Sequence, residues 1–565
     1  MNPTPAWRSR LWLAVALVLT FGKLWLTRGQ GLYAIGSQGQ DDRLHLELAH
    51  HLVHGSWLGN YSELTLAHGP FYPIFIAAAF GLGVPLALAQ HAFYAAACAW
   101  FACALRPAVA AAGARCAIYL VLLANPMTFD APQMGRVLSQ HVQGPLALLV
   151  VASLVALYLR REQPVRRQAA WAGLLGLAAS AFYLTREDNA WFVPIVLLLG
   201  GACLLGAARI SREALRRTAG VLGFAAAVAA LPVLFVCVEN QRNYGWFGTS
   251  EARSAEFNAA YATMQRVRVG PELPGVPVTQ AARQAMAQAS PGFAELERQL
   301  VAMPDLTGWA GSTEFLTRRP VAPGEIGAGV MPGTLRAAVA RAGHYGDAGQ
   351  ARYFFKHLAR ELDEAIDSGH LPAGSPAGAP IGETCSSLLD FADAVISFSR
   401  FSARPLPSTG TPDQLNLFRD MTGERLSPPA GELDVVGATE YLQNVAKVDR
   451  LHALGKGLRL FLLGLVVLAL VAFLFRAAQA AWQRRWTYPL TLAVAVATAI
   501  ACSLWGNARL EAGAYPVASI TAFAPLYPLV LVFAVAAGWD AVAFWRDRRS
   551  PGPDSTGNGA APVSV

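Results

Sequence analysis

The stretch Phe71-Tyr72-Pro73-Ile74-Phe75-Ile76-Ala77-Ala78-Ala79-Phe80-Gly81 decides how the rest of the chain is threaded. It is apolar almost throughout, yet its eleven residues fall well short of the roughly 20 that a helix needs to cross a bilayer. Counting it as a span would reverse every later loop and export Arg160, Arg161, Arg166 and Arg167, against the preference of arginine for the cytoplasmic side. Flanked by Pro70 and containing Pro73, it reads instead as a short helix lying in the outer interface.

With that stretch excluded, the remaining apolar runs form a consistent set. The chain has 565 residues, 54% of them hydrophobic, and spans are expected at 11–27, 85–105, 114–127, 139–159, 168–184, 190–208, 217–238, 456–476, 486–506 and 515–541. About ten helices placed this way put the arginines at 8 and 10, 106 and 115, 160–167, 209–217, 476–485 and 546–549 on one side. Both termini are then cytoplasmic, and the first apolar run, lacking a convincing cleavage site before Tyr33, is expected to stay as an anchor. Residues 550–565 read as a disordered cytoplasmic tail.

The expected organisation is a transmembrane module at 1–238 with its first external loop at 28–84, an extracytoplasmic domain at 239–455 and C-terminal spans within 456–549. The 239–455 segment carries 24 acidic against 19 basic side chains, so the net charge of +8 belongs to the membrane loops and is orientation charge, not a nucleic-acid footprint. Helix-forming composition recurs at 281–288, 293–301, 334–342 and 351–368, where Tyr353, Phe354, His357, Leu358 and Leu362 follow near-helical spacing, with Pro/Gly-rich connectors at 371–382 and 402–412. Six of the seven cysteines lie in or beside spans and Cys385 is alone outside, so no extracytoplasmic disulfide framework is expected.

The densest chemistry is in the first external loop: Asp41-Asp42-Arg43-Leu44-His45-Leu46-Glu47-Leu48-Ala49-His50-His51-Leu52-Val53-His54-Gly55. At about 100° per residue Leu44, Leu48 and Leu52 form one stripe, with Arg43, Glu47, His50 and His54 opposite. Asp41 and His45 fall on the leucine side, whereas Asp42 is expected to be more exposed. A carboxylate on the buried side of such a helix is costly without a partner or a task, although Asp is also a favoured helix cap. Arginine is scarce in the short external loops, and a guanidinium can clamp a phosphate bidentately, which singles out Arg136 and Arg186. The competing use of either is an ion pair, with Glu187, Asp188 or lipid headgroups. His50 and His54 stand one turn apart beside Glu47, but the zinc-hydrolase pattern His-Glu-x-x-His is absent and a histidine-rich headgroup-level face is the ordinary reading. No metal ligand set is assigned, no cofactor is certain, and a divalent metal has only weak support. Lys23 is expected to snorkel from the outer end of the first span. The Tyr515-Pro516 and Pro525-Leu526-Tyr527-Pro528 run is expected to kink the last span, or else to line a lipid groove.

Taken in order, Asp41, His45, Ala49, Leu52 and Gly55, then Gly69-Pro70-Phe71-Tyr72-Pro73, Asn125-Pro126, Arg136, and Thr185-Arg186-Glu187-Asp188 with Trp191 and Pro194 resemble a known pattern. It is that of the bacterial GT-C superfamily of membrane glycosyltransferases, of the polyprenyl-phosphate-sugar-dependent, aminoarabinose- or mannosyltransferase-like kind. The resemblance covers residues 11–200 well and the remainder only in layout. It implies an all-α polytopic fold: a GT-C-like bundle of about ten transmembrane helices with external interfacial helices and a mostly helical extracytoplasmic domain. It further implies transfer of a sugar from a polyprenyl-phosphate donor to a lipid or glycan acceptor at the outer face of a bacterial inner membrane. Asp41 matches the family's general base, with Asp42 and His45 as neighbouring catalytic candidates, Arg136 and Arg186 as donor-phosphate ligands, and Arg43, Glu187 and Asp188 as further candidates. The run Arg136-Val137-Leu138-Ser139-Gln140 departs from the pattern, because many relatives carry an acid shortly after this arginine. A non-catalytic scaffold of the same fold is therefore the main competing reading. A transporter of lipid-linked glycans is the other, and it would need a path of ionisable groups through the spans.

Overall fold

A computed structural model describes residues 6–36, 42–273, 275–303, 324–374, 381–427, 438–512 and 520–549, and within them the regular structure is helical. The membrane module opens with α1 (Ala6–Thr27), α2 (Asp42–Val53), α3 (Phe71–Gly81), α4 (Leu86–Ala104), α5 (Ala112–Leu123), a single turn α6 (Ala131–Met134), α7 (Gln140–Leu159), α8 (Val165–Thr185), α9 (Val193–Ala208) and α10 (Arg212–Tyr244). Then come α11 (Ala255–Arg266), α12 (Gln280–Ala289), α13 (Pro291–Val301), α14 (Met331–Arg341), α15 (Ala348–Asp367), α16 (Ile381–Ser397) and α17 (Pro412–Thr422). The chain returns to the bundle through α18 (Ala438–Gln483), α19 (Tyr488–Ala512) and α20 (Leu526–Arg549).

Among the described residues eight helices are long and apolar enough to cross a bilayer: α1, α4, α7, α9 with its preceding turn, α10, α18, α19 and α20. Helix α8, with 21 residues, is long enough at about 1.5 Å per residue but less apolar, and α5 has only 12. Each of the ten stretches expected to span is helical over most of its length. Leu13, Phe21, Leu197, Leu231, Leu460 and Leu468 lie exposed on these helices, the surface that hydrocarbon would cover. Helix α7 is buried almost all round and forms the centre of the bundle. Gly176 allows α8 to meet α10 closely, since a Cβ there would come within 2.5 Å of the Ala225 carbonyl oxygen. At one end of the bundle Arg476 Nε donates to Asp540 Oδ2 at 2.7 Å, and Thr487 donates to the same carboxylate, joining α18, the start of α19 and α20.

Two features of the spans differ from expectation. Pro525 precedes α20 and Pro528 sits in its first turn, where backbone N–H groups have no intrahelical acceptor to lose, so the helix does not begin early enough for these prolines to kink it. Tyr515 and Pro516 lie outside the described residues, as does the 550–565 tail. Lys23 does not snorkel. Its ammonium turns inward, donating to the Leu123 carbonyl at 2.8 Å and Thr128 Oγ1 at 2.6 Å, over the rings of Tyr94 and Phe129.

The hydrophilic segment between α10 and α18 divides its apolar side chains between two cores. Phe257, Met264, Met286, Phe293, Leu296, Leu335, Phe355, Leu358 and Leu362 build a core from α11 to α15. Phe391, Val395, Phe398, Phe401, Phe418 and Met421 instead join the core of the membrane bundle. The 381–427 part is thus a collar on the bundle, with α17 against α2 and α3. The collar also fixes the entry to α2. Leu32 pairs with Arg425 and Ser427, and Ala34 and Gly36 pair with Thr409, in short parallel bridges.

Candidate functional site

Helix α2 starts at Asp42, where a carboxylate favours the positive end of the helix dipole, and stops at Gly55, whose φ of 77° is the left-handed conformation that closes a helix. Its leucine stripe behaves as the periodicity requires. Leu44 and Leu48 pack with Leu58, Leu66, Tyr244 and Trp246 in a small separate cluster. A second flank is buried as well, because Leu46 and Ala49 enter the core of the bundle. Helix α2 is therefore held on two sides, and this overturns the expectation for Asp42. Far from being the exposed member of the acidic pair, Asp42 has no solvent exposure.

The compensating charge is Arg136, which approaches from the loop after α6. Its Nε donates to Asp42 Oδ2 at 3.0 Å and its Nη2 to Oδ1 at 2.7 Å, a two-point fork that a lysine could not make. Gly135 next to it cannot carry a side chain without meeting the Ala131 carbonyl at 2.5 Å, so the loop turns tightly enough to aim the guanidinium at α2. Tyr33 and Asp130 lie in the same electrostatic neighbourhood; burial pushes the Tyr33 hydroxyl up to about 12, with Arg136 opposing and Asp42 and Asp130 adding to the rise.

One turn along α2, His45 is buried, its ring edge-on to Tyr72 at 5.0 Å and 5.8 Å from the ring of His68. Tyr72 is the second residue of α3, and its hydroxyl accepts from Gln90 Nε2 at 2.8 Å. His68 Nδ1 lies 3.5 Å from Glu187 Oε2, and the other carboxylate oxygen of Glu187 accepts from the backbone N–H of Gly69 at 2.8 Å. Gly69 must be glycine, since a Cβ would stand 2.0 Å from the Leu184 carbonyl oxygen. Burial alone would raise the Glu187 carboxyl, but the hydrogen bond and charge of His68, the charge of Arg186 and a backbone bond outweigh it and hold the group at about 2. Glu187 is thus a fixed anion beside a pair of histidines, just after the C-terminal end of α8.

The structure accordingly forms two groups that meet on the first turn of α2: Arg136 with Asp42, and His45 with Tyr72, His68 and Glu187. The other named residues stand apart from them to different degrees. Arg186 follows Thr185 at the end of α8 and forks onto Asp188, Nε to Oδ1 at 2.9 Å and Nη2 to Oδ2 at 3.1 Å. Arg43 pairs along its own helix with Glu47 at 2.9 Å. Asp41 lies outside the described residues. The rings of His50 and His54 lie 4.1 Å apart and tilted to one another on the exposed side of α2, and among the described residues no three His, Cys, Asp or Glu side chains are grouped to hold a metal ion.

Sequence reasoning missed a polar lining inside one end of the bundle. Gln90 and His91 of α4, Gln140 and His141 of α7, Tyr94, Asn125 and Thr128 surround a cavity of about 30 Å³, room for about one water. The signal was present as two Gln-His dipeptides, each at the outer end of an apolar run, but a hydropathy reading absorbs them into the spans.

No family model matches the chain, and no curated protein matches it. Among solved structures the chain is similar to the crystal structure of ArnT from Cupriavidus metallidurans bound to undecaprenyl phosphate, at 14% identity over 95% of this chain and 79% of that one, with a TM-score of 0.31.

Proposed function

We propose that the protein is a GT-C-like membrane glycosyltransferase that moves a sugar from a polyprenyl-phosphate donor to an envelope acceptor at the outer face of the bacterial inner membrane. The observation that carries this reading is the pairing of an acid-led, doubly buried helix with an arginine from the next external loop, beside the His45, His68 and Glu187 set. Direct transfer needs a carboxylate to take the proton of an acceptor hydroxyl as its oxygen attacks C1. The C1–O bond to the lipid phosphate breaks in the same displacement, its electron pair staying on the phosphate and the anomeric centre inverting. Asp41 is the base in this scheme. Asp42, already committed to Arg136, fixes the start of α2, and Asp41 is its neighbour in the chain. A donor phosphate would compete with Asp42 for Arg136 and with Asp188 for Arg186, so each guanidinium would exchange one anion for another.

The test is release of free polyprenyl phosphate from a panel of polyprenyl-phosphate sugars by purified protein with envelope extract as acceptor. Release by wild type that is lost in Asp41→Asn, with folding and donor binding intact, supports the assignment; equal release by both removes Asp41 as base.

A second reading is favoured by one specific observation: both external arginines proposed for phosphate are already forked onto carboxylates. A non-catalytic envelope scaffold would keep these pairs permanently. It predicts no release from any donor and an Asp41→Asn variant that is silent in every envelope phenotype.

A further inference from the structure

The α11–α15 unit carries a groove of about 740 Å³ between the first half of α13, the turn before α15 and α15 as far as Glu361. That volume lies within the roughly 300–1,000 Å³ of clefts that hold small ligands. Its polar lining comes from Glu295, His344, Asp347, Tyr353, His357 and Glu361, and neither Lys nor Arg is among the described residues that line it.

Tyr353 is the informative residue. The helical spacing of α15 groups it with Phe354, Leu358 and Leu362, which are buried, yet Tyr353 is 70% exposed and presents its ring to the groove, 6.0 Å from the ring of His357. The hydrogen-bonding groups around it are held in place. His357 Nδ1 is 2.9 Å from Glu361 Oε1, while Glu361 Oε2 accepts from the backbone of Gly292 at 3.0 Å and from Ser290. His344 Nε2 is 3.4 Å from Glu295 Oε2, and its ring stacks on Phe354 at 4.5 Å. An open aromatic face flanked by fixed carboxylates and imidazoles matches the two sides of a pyranose, whose C–H face packs on a ring while its hydroxyls donate to planar acceptors. Three carboxylates with no lysine or arginine repel phosphates, anionic lipid headgroups and nucleic acid.

We infer that this groove binds an oligosaccharide that is uncharged or carries amino groups. The site does not depend on the transferase reading, because it uses none of the residues around Asp42. It is nevertheless tied to the first external loop. Tyr345, next to His344, stacks on Tyr61 at 5.7 Å and donates to Glu251 at 3.1 Å, and Tyr61 donates to the same carboxylate.

Binding is tested on the full-length protein in nanodiscs, by titration calorimetry with three trisaccharides: chitotriose, its deacetylated glucosamine counterpart and trigalacturonate. The expected result is saturable binding of at least one of the first two and none of the third. Tyr353→Ala should weaken binding by about tenfold or more, and Tyr353→Trp should keep it within about threefold, because stacking is retained. Both variants should melt with wild type, since the ring is exposed. Failure of both uncharged and amino sugars to bind, preference for trigalacturonate, or binding untouched by Tyr353→Ala overturns the inference. No turnover is measured, so an inactive transferase would leave this result unaffected.

Discussion

Substituting Arg136 by methionine removes the guanidinium while keeping much of its apolar stem, and leaves the Asp42 carboxylate fully buried without its arginine. Loss of one partner from a buried, hydrogen-bonded pair costs about 3–5 kcal/mol, because the remaining charge has lost its compensation at a place water does not reach. Asp42 has no exposure and the Arg136 side chain only 15%, so the upper part of that range applies more to Arg136→Met than to Asp42→Asn, which leaves the more accessible partner behind. At about 1.4 kcal/mol per power of ten, backbone amides of α2 should exchange with solvent roughly two to three and a half powers of ten faster in Arg136→Met, up to the limit set by the helix's own opening. Hydrogen exchange read by mass spectrometry on peptides covering 42–53, in nanodiscs, measures this directly. The double variant Asp42→Asn/Arg136→Met should recover most of the loss, since it removes both charges together. Exchange in Arg136→Met within about threefold of wild type, or a double variant as fast as the single one, would refute the reasoning.

Three further outcomes follow from neighbouring geometry. Gly69→Ala must push the backbone of 69–72 away from Leu184, because the Cβ would meet a carbonyl oxygen that cannot rotate aside; a loss of about 1–3 kcal/mol or more is expected, read as a lowered melting temperature in detergent, and an unchanged melting curve would contradict the close approach. The Glu187 carboxyl is held below its ordinary value, so its contribution to stability is complete above about 4.5 and disappears as pH falls through about 2; wild type should therefore outlast Glu187→Gln at neutral pH, and the gap should close across that window. Cys385 is exposed on α16, and an impermeant maleimide should label it in intact spheroplasts, whereas exposed Cys103, near the end of α4 expected to face the cytoplasm, should react only after permeabilisation; labelling of Cys103 alone would invert the proposed topology.

Much of the architecture was legible because hydropathy and charge act locally. The interfacial helix expected at 71–81 runs from Phe71 to Gly81, and helices near 281–288, 293–301, 334–342 and 351–368 occur with boundaries shifted by a few residues. What failed were inferences that treated a helix as having one neighbour. A helical wheel assigns Asp42 an angle, but its burial depends on the collar and bundle packing on α2 from sides that the wheel calls solvent. Tyr353 shows the reverse error: its spacing matches a core residue, yet the groove leaves its face uncovered. Lys23 was read from its place near a membrane boundary, and no local rule shows that Leu123 and Thr128, some hundred residues away, offer its ammonium two oxygen acceptors. Of the site itself, the sequence identified Asp42, His45, Arg136 and Glu187 as candidates but could not say that Arg136 would choose Asp42 and Arg186 choose Asp188.

These pairings bear on how the outer unit and the membrane site could act together. The segment between α1 and α3 has two anchorages: α2 is fixed to the bundle through Leu46, Ala49 and the Asp42–Arg136 fork, and the loop after it is fixed to the α11–α15 unit through Tyr61, Glu251 and Tyr345. Burial raises the Glu251 carboxyl, and the two tyrosine hydroxyls that donate to it offset part of that cost, so neither tyrosine can leave cheaply. A ligand that shifts the 344–347 turn at the groove would therefore pull on Tyr61 and, through Ala348, on the leucine cluster of α2. The leucine face of α2 rests on the same small cluster as Tyr61 and Tyr244, which makes it the element through which such a shift would reach Asp42. Coupling of this kind has a reciprocal form: if saccharide in the groove loosens the Asp42–Arg136 fork, then Arg136→Met must change saccharide affinity by the same factor. Equal affinity in wild type and Arg136→Met would mean that the two sites share a loop without sharing free energy.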